Sequence, residues 1–284
     1  WRQILCTKEF SMVIKEKLLG YSGCEVLLIE NNNRIIVRKY ADKKYSNRLK
    51  LQADKQNKFV SLFLKAPKII SFNDCKDGKY FIDMEYINGL NFNDYLLRKD
   101  IKSVKLLVDK LFNEILERKE SGSIDLKKIN KKLDSLNAYC SSPIIEQSMK
   151  YLRNFEWNTV KESYCHGDLT FENILVKNDD IYVIDFLDSF IDSKYIDIAK
   201  VLQDVDIYWS VRNKKIDSNL LIRYQVIKKA LLSNLTIKER EVSYTLLLLN
   251  MLRILPYTKD DKTKQFIYKK IEFVNFILER GAYE

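Results

Sequence analysis

Short runs rich in β-branched and aromatic residues come first along the chain, and longer runs of helical period follow. Glu25 to Ile29 and Arg34 to Tyr40 read as strands joined through Asn31-Asn32-Asn33, a residue type that tolerates positive φ in a hairpin turn. Residues 46–64 predict a helix, with Leu49, Ala53, Phe59, Val60 and Phe63 on one face. Ile69-Ile70 and Lys79 to Ile87 predict further strands around an Asp77-Gly78 hairpin signal. After Asn88-Gly89 the pattern changes. Helices are predicted over 92–98, 101–119, 124–140, 144–155, 195–212, 219–234, 237–255 and 262–280. Two short strands around a turn at Asp179-Asp180 interrupt them. The expectation is an α+β chain in two parts: a small antiparallel lobe over 1–87 and a mainly helical lobe over 88–284.

Composition narrows the classes. The 284 residues are 46% hydrophobic and 12% aromatic, enough for a real core. A net charge of +10 would suit an anionic partner. No long basic run occurs, however, so the charge reads as solvated helix faces rather than a nucleic-acid site. Five cysteines without a C-x-x-C pair, beside a single histidine, lack zinc-site spacing and read as reduced thiols. No secretory signal pattern opens the chain, which starts at Trp1 rather than Met, so the expected setting is cytoplasmic with the native N-terminus missing. The most apolar run, 244–257, contains Asn250 and Arg253 and falls short of the roughly 20 residues of a membrane span.

The chemistry concentrates in Tyr164-Cys-His-Gly-Asp-Leu-Thr-Phe-Glu-Asn-Ile-Leu-Val176 and Ile181-Tyr-Val-Ile-Asp-Phe-Leu-Asp-Ser189. A loop acid at Asp168 can accept a hydroxyl proton as that oxygen attacks a phosphoryl group. Asn173 offers an uncharged oxygen to Mg2+, and Asp185 offers a charged ligand that bridges metal and phosphates. Flanking apolar strands would hold all three rigidly. Buried acids without basic partners would be costly, which argues against an incidental hairpin.

The combination H-G-D-x-x-x-x-N-I-L, strand, turn, strand, I-D-F resembles the aminoglycoside phosphotransferase and choline kinase family, the small-molecule branch of the protein-kinase-like fold. The resemblance covers most of the chain and thins after about 215. It implies a two-lobed enzyme binding ATP and Mg2+, with the N-lobe holding the nucleotide. On that resemblance, Gly20, Ser22 and Gly23 fall in the phosphate-covering loop, where small residues let backbone N–H groups approach phosphates. Arg38 takes the place of the cation that pairs with the α and β phosphates. Lys39, one residue on, points to the other strand face and is the alternative. The partner Glu expected on the N-lobe helix is missing; only Gln52, Asp54 and Gln56 are candidates. Met84, Glu85 and Ile87 fall in the segment that would line the adenine pocket. Asp197 would buttress the Asp168 loop or cap its helix, His166 would organise the loop, and Asp188 is a further metal or loop acid.

For the acceptor, Asp204, Tyr208 and Arg212 share a face at i, i+4 and i+8 of the predicted helix, with Trp209 beside them. An acid with aromatics suits a quaternary ammonium, and an acid with Arg and Trp suits a sugar. The expected partner is a small-molecule hydroxyl acceptor, either a sugar or polyol of cell-surface glycan synthesis or an amino alcohol. A +10 chain weighs against a polycationic aminoglycoside. The rivals are an aminoglycoside phosphotransferase and a pseudokinase or nucleotide-binding scaffold. A protein kinase is disfavoured by the short interval between Asp185 and Asp197.

Overall fold

The computed structural model describes residues 12–18, 24–74, 79–139 and 142–283. The Gly20, Ser22 and Gly23 loop and the Asp77-Gly78 turn lie outside the described residues.

The N-lobe begins with β1 (Val13–Leu18), β2 (Cys24–Asn31) and β3 (Arg34–Ala41). Asn32 and Asn33 turn β2 into β3 with φ of 49° and 60°, the geometry the Asn run predicts. Helix α1 (Ser46–Asn57), β4 (Leu64–Lys65), β5 (Ile69–Asp74) and β6 (Tyr80–Glu85) complete it. Five strands form one antiparallel sheet in the order β1-β2-β3-β6-β5. Leu49, Ala53, Tyr80 and Ile82 pack α1 against that sheet.

Helix α1 ends seven residues before the sequence pattern predicts. Val60 and Phe63 are 89% and 37% exposed, so their spacing marks no buried face. Phe59 leaves the N-lobe and packs against Tyr164 and Phe186, with centroids 5.7 and 5.1 Å away. The chain then extends, and β4 pairs in parallel with a strand of the other lobe.

That lobe opens with β7 (Leu90–Asn91), α2 (Phe92–Arg98) and α3 (Ile101–Leu116). Next come β8 (Glu120–Ser123), α4 (Leu126–Leu136), α5 (Pro143–Asn154) and β9 (Lys161–Ser163). Strands β10 (Ile174–Lys177) and β11 (Asp180–Val183) join β4 and β7 in the order β4-β11-β10-β7. The turn between them uses Asn178 and Asp179, both at positive φ, one residue earlier than the predicted Asp179-Asp180. Four helices follow: α6 (Lys194–Val205), α7 (Ser218–Ser233), α8 (Ile237–Ile254) and α9 (Asp261–Arg280).

The centre of this lobe is the pair α6 and α8. Every residue of α6 is buried, as are Val242 to Leu252 of α8. The buried polar residues of α6, among them Asp197 and Asp204, must find partners inside the core. Thr236 and Glu239 close the N-terminus of α8 as a reciprocal capping box. Among the described residues, no helix is long and apolar enough to cross a membrane.

Gly89 sits where the two parts meet, with its missing Cβ position 2.9 Å from the Val176 carbonyl oxygen. Gly89→Ala forces backbone apart at this junction. It is expected to destabilise the fold by about 1–3 kcal/mol, read as a lower urea midpoint at unchanged slope.

Candidate active site

The site is built on one backbone loop and the end of β11. Asp168 lies on the loop before a single 3-10 turn, Phe171–Asn173. The Thr170 N–H donates to the Asp168 carbonyl at 2.8 Å and tightens the loop. The Asn173 Nδ2 donates to the Asp168 carbonyl at 2.8 Å and to its Oδ2 at 3.1 Å. This amide orientation turns the Asn173 Oδ1 away from Asp168, free to act as a ligand. The Ile184 N–H donates to the Asn173 carbonyl at 3.0 Å, tying the loop to the residue before Asp185.

Asp185 holds a φ of 64°, a left-handed conformation rare for a non-glycine residue. Its carboxylate is partly open to solvent and pairs with Lys39 of β3, so a contact from the N-lobe reaches it. Here the structure corrects the preference for Arg38. Arg38 faces the other side of the sheet, where Nε and Nη2 donate to the two oxygens of Asp83 at 2.6 and 2.8 Å. Its guanidinium lies 4.2 Å from the Phe81 ring centre. Neighbouring strand residues face opposite ways, so only one of the two cations can reach the gap between the lobes, and it is Lys39.

No acid on α1 pairs with Lys39. Gln56 donates to the Pro67 carbonyl at 2.8 Å, and the buried Gln52 Oε1 has no partner. Instead α1 supplies a cation to the segment after Asp185. Lys55 Nζ donates to the Leu187 carbonyl at 3.1 Å and to Asp192 Oδ1 at 2.6 Å. Sequence reasoning looked for an acid on this helix and passed over Lys55.

Below the loop lies Asp197, with no exposed surface. It accepts from the His166 N–H at 2.7 Å, from the Gly167 N–H at 2.8 Å and from Arg118. Ser193, not Asp197, stands at the N-cap of α6. Burial alone would raise the Asp197 pKa, but Arg118, His166 and the backbone donors hold it below the usual carboxylate range. Gly167 is bound there at φ 92°, with its absent Cβ 2.6 Å from the Leu187 carbonyl oxygen. His166 is buried against Phe186, and its Nδ1 accepts the Asp168 N–H at 3.2 Å. Burial lowers its pKa, opposed by Asp197 and Asp168.

Asp168 itself is partly exposed. Its Oδ1 meets Lys200 Nζ at 2.9 Å. Burial pushes its pKa up, while Lys200, His166 and Asn173 pull it down, and the net result lies below the usual range. Lys200 was legible in principle: it stands three residues after Asp197 on α6, hence on a neighbouring part of the same face. Arg118 had no local signal, being 79 residues from Asp197.

The four proposed acceptor residues do not share a face. Helix α6 stops at Val205, and Tyr208 adopts a left-handed φ of 63°. Asp204 is fully buried and receives the Phe171 N–H at 2.5 Å, the Ser210 N–H at 2.9 Å and the Ser210 hydroxyl. A buried carboxylate needs such donors, and bending the chain after 205 brings Ser210 back to supply two of them. Burial still pushes Asp204 up to about 7, against the hydrogen bonds from Ser210 and Phe171. Tyr208 stacks on Tyr224 at 6.0 Å and accepts from Gln225. Arg212 lies 4.0 Å from the Trp209 ring centre and 3.8 Å from Glu172, so these two stay near the loop. Met84 is buried on β6 opposite Val37. The Glu85 N–H is already taken by the Lys68 carbonyl at 2.9 Å, and Ile87 follows as a buried residue. Asp188 is exposed after Asp185.

A carboxylate at Asp185 and a free amide oxygen at Asn173 form a donor set suited to Mg2+, which keeps waters and phosphate oxygens as its other ligands.

No protein-family model matches the chain. A LicA homolog from Metamycoplasma hominis is 29% identical over 131 residues, covering 45% of this chain and 51% of that protein. The chain thus matches only about half the length of that curated relative. Solved structures cover far more. The apo form of a thermostable variant of aminoglycoside phosphotransferase APH(4)-Ia aligns with a TM-score of 0.62 at 12% identity, over 96% of each chain. A Ralstonia eutropha protein assigned as an aminoglycoside phosphotransferase gives 0.64 at 12% identity, over 96% of this chain and 93% of its own. A Haemophilus somnus protein assigned as a fructosamine-3-kinase gives 0.58 at 17% identity, over 92% of each. The expected two-lobed α+β architecture, and its likeness to small-molecule phosphotransferases, is therefore observed at the level of the fold.

The two adjacent cations separate by substitution. Arg38→Met leaves the buried Asp83 without its cation, with the Ser71 hydroxyl at 2.9 Å as a remaining donor, and is expected to cost about 3–5 kcal/mol in urea unfolding. Lys39→Met, whose partner Asp185 is open to water, is expected to cost less than about 1 kcal/mol.

Proposed function

We propose that this chain transfers the γ-phosphoryl group of ATP, with Mg2+, to a hydroxyl of a small molecule. The observation that carries the reading is the convergence of Lys39 on Asp185 across the two lobes, beside an Asp168 locked to Asn173. Solved neighbours of the same fold hold ADP or AMP-PNP with hygromycin B, and GDP with kanamycin. Those ligands are theirs; for this chain they support a nucleotide between the lobes and an acceptor at Asp168.

In this reading Asn173 Oδ1 and Asp185 hold Mg2+, which neutralises charge on the transferring group. Lys39 pairs with the α and β phosphates and so keeps the nucleotide in register with Asp185. The acceptor oxygen forms its bond to the γ phosphorus as the bond to the β–γ bridging oxygen breaks. The bridging oxygen leaves with the electron pair as part of ADP, and the acceptor proton passes to Asp168. A loose transition state asks little basicity of that acid, so a carboxylate held ionised by Lys200 suffices as hydroxyl orienter and proton acceptor. Asp197 and His166 act on the loop rather than on substrate. The acceptor class is a sugar, polyol or amino alcohol. That Lys39 pairs with Asp185 rather than with the α1 acid Asp54 favours one rival, a nucleotide-binding scaffold without transfer activity.

The test is a Mg-ATP transfer assay over these acceptor classes. Asp168→Asn is expected to lower kcat by at least about a hundredfold while nucleotide binding, followed by fluorescent-nucleotide displacement, stays near wild type. Wild-type protein that binds ATP but transfers to nothing would favour the scaffold. Lys200→Met removes the largest of the groups that oppose burial at Asp168, leaving His166 and Asn173, so the acid limb of the kcat profile is expected to move to higher pH. An unmoved limb would show that Asp168 does not set it.

A further inference from the structure

Two cations that the reading above does not use share the ring of Phe190, and one of them, Arg253, feels the charge of Asp168. Arg253 of α8 lies with its guanidinium 4.6 Å from the Phe190 ring centre, and Lys132 of α4 with its Nζ 5.9 Å from the same centre. Arg48 of α1 is close enough for its charge to act on Arg253, as the Asp168 carboxylate does from the other side of the charge balance. None of the three has a carboxylate partner among the described residues. Burial depresses the pKa of Arg253, with Arg48 adding to the effect and Asp168 opposing it. Burial depresses Lys132 too, and Arg253 adds to that.

A second deficit lies in the same place. Asn250 is 2% exposed and one helical turn before Arg253. Its Oδ1 accepts from Arg253 Nη1 at 3.1 Å, while its Nδ2 has no acceptor. Arg253 and Lys132 therefore share one aromatic ring, the more exposed Arg48 adds a third charge, and among the described residues no carboxylate answers them and no acceptor meets the buried Asn250 Nδ2. Such an arrangement is costly when empty and repels a polyamine or a quaternary ammonium. A single anionic group would satisfy it, and the chain's +10 charge would steer anions toward it. Four separate elements supply these groups: α1, α4, α8 and the segment between Asp185 and α6.

We propose that the acceptor is a hydroxyl compound that also bears a carboxylate or phosphate ester, bound through Arg253 with Lys132, Arg48 and Asn250 Nδ2 around it. This rests on the phosphotransfer reading and narrows its acceptor class. Carboxylate and phosphate share the needed chemistry: negative oxygens that accept from a guanidinium fork and an amide.

The test has two arms. In the first, the full chain with Mg-ATP is offered matched sets: glycerol, glycerate and glycerol 3-phosphate; glucose, glucuronate and glucose 6-phosphate; choline and kanamycin. The anionic members are expected to show KM values about tenfold or more below their neutral partners. Comparison of the carboxylate with the phosphate members identifies the anion. Arg253→Met, or Lys132→Gln if that variant folds poorly, is expected to erase the preference and leave KM for ATP within about twofold. Preference for neutral or cationic members, or an anionic preference untouched by both variants, overturns the proposal while leaving phosphotransfer in place. The second arm needs no acceptor. With AMP-PNP and Mg2+ saturating the nucleotide site, sodium sulfate is expected to raise the Tm of wild type more than that of Arg253→Met. Equal shifts overturn the anion site. No transfer to any compound, with the sulfate difference present, overturns the phosphotransfer reading alone.

Discussion

The arrangement around Asp168 depends on one buried carboxylate. Asp197 has no contact with water, and an unpaired acid at that depth would cost several kcal/mol. It is stable only because Arg118 and two successive backbone N–H groups, from His166 and Gly167, all donate to it. The same bonds that satisfy the acid fix the backbone of the loop. Asp204 repeats the device farther along the loop, taking the N–H of Phe171, three residues past Asp168. Two acids on one buried helix, α6, thus clamp the loop at both of its ends.

The N-lobe is joined to this platform by cations rather than by acids. Lys39 reaches Asp185, and Lys55 reaches the Leu187 carbonyl and Asp192. An α1 acid paired with the strand lysine would set that lysine from within the N-lobe. Here the lysine is set by an acid of the other lobe, so the relation of the lobes and the position of Lys39 are one variable. Closure of the lobes on a nucleotide would move both together. Lys65 adds a pair with Asp180 at 2.6 Å on the rim, where exposure leaves it little weight.

Much of the candidate site was legible because its spacing is local. Asp168, Asn173 and Asp185 sit between apolar runs that can only be short strands, and the strands bring them together. The readings that needed correction each turned on something local period does not carry: strand register, a bend of the chain or burial. Arg38 and Lys39 are neighbours with the same charge, and which one faces the gap is decided by the register of β3 against β6, where Arg38 stands opposite Asp83. The predicted face of Asp204, Tyr208 and Arg212 assumed a helix that continued. It stops because Asp204 draws the Ser210 N–H and hydroxyl back onto itself. Helix α1 was read too long because Val60 and Phe63 share its period, yet both are exposed.

By itself the sequence determined the two-part α+β order, the Asn hairpin, the helices of the second lobe and the loop with its three polar groups. Each is set by period or by turn chemistry within a few residues. Only the tertiary structure decided which cation meets Asp185, what holds Asp197, and that Lys132 and Arg253 meet at Phe190. Those outcomes depend on charges from separate elements meeting in a partly dry interior. There the energy of an ion pair or of like-charge crowding depends on distance and burial, which no local spacing encodes.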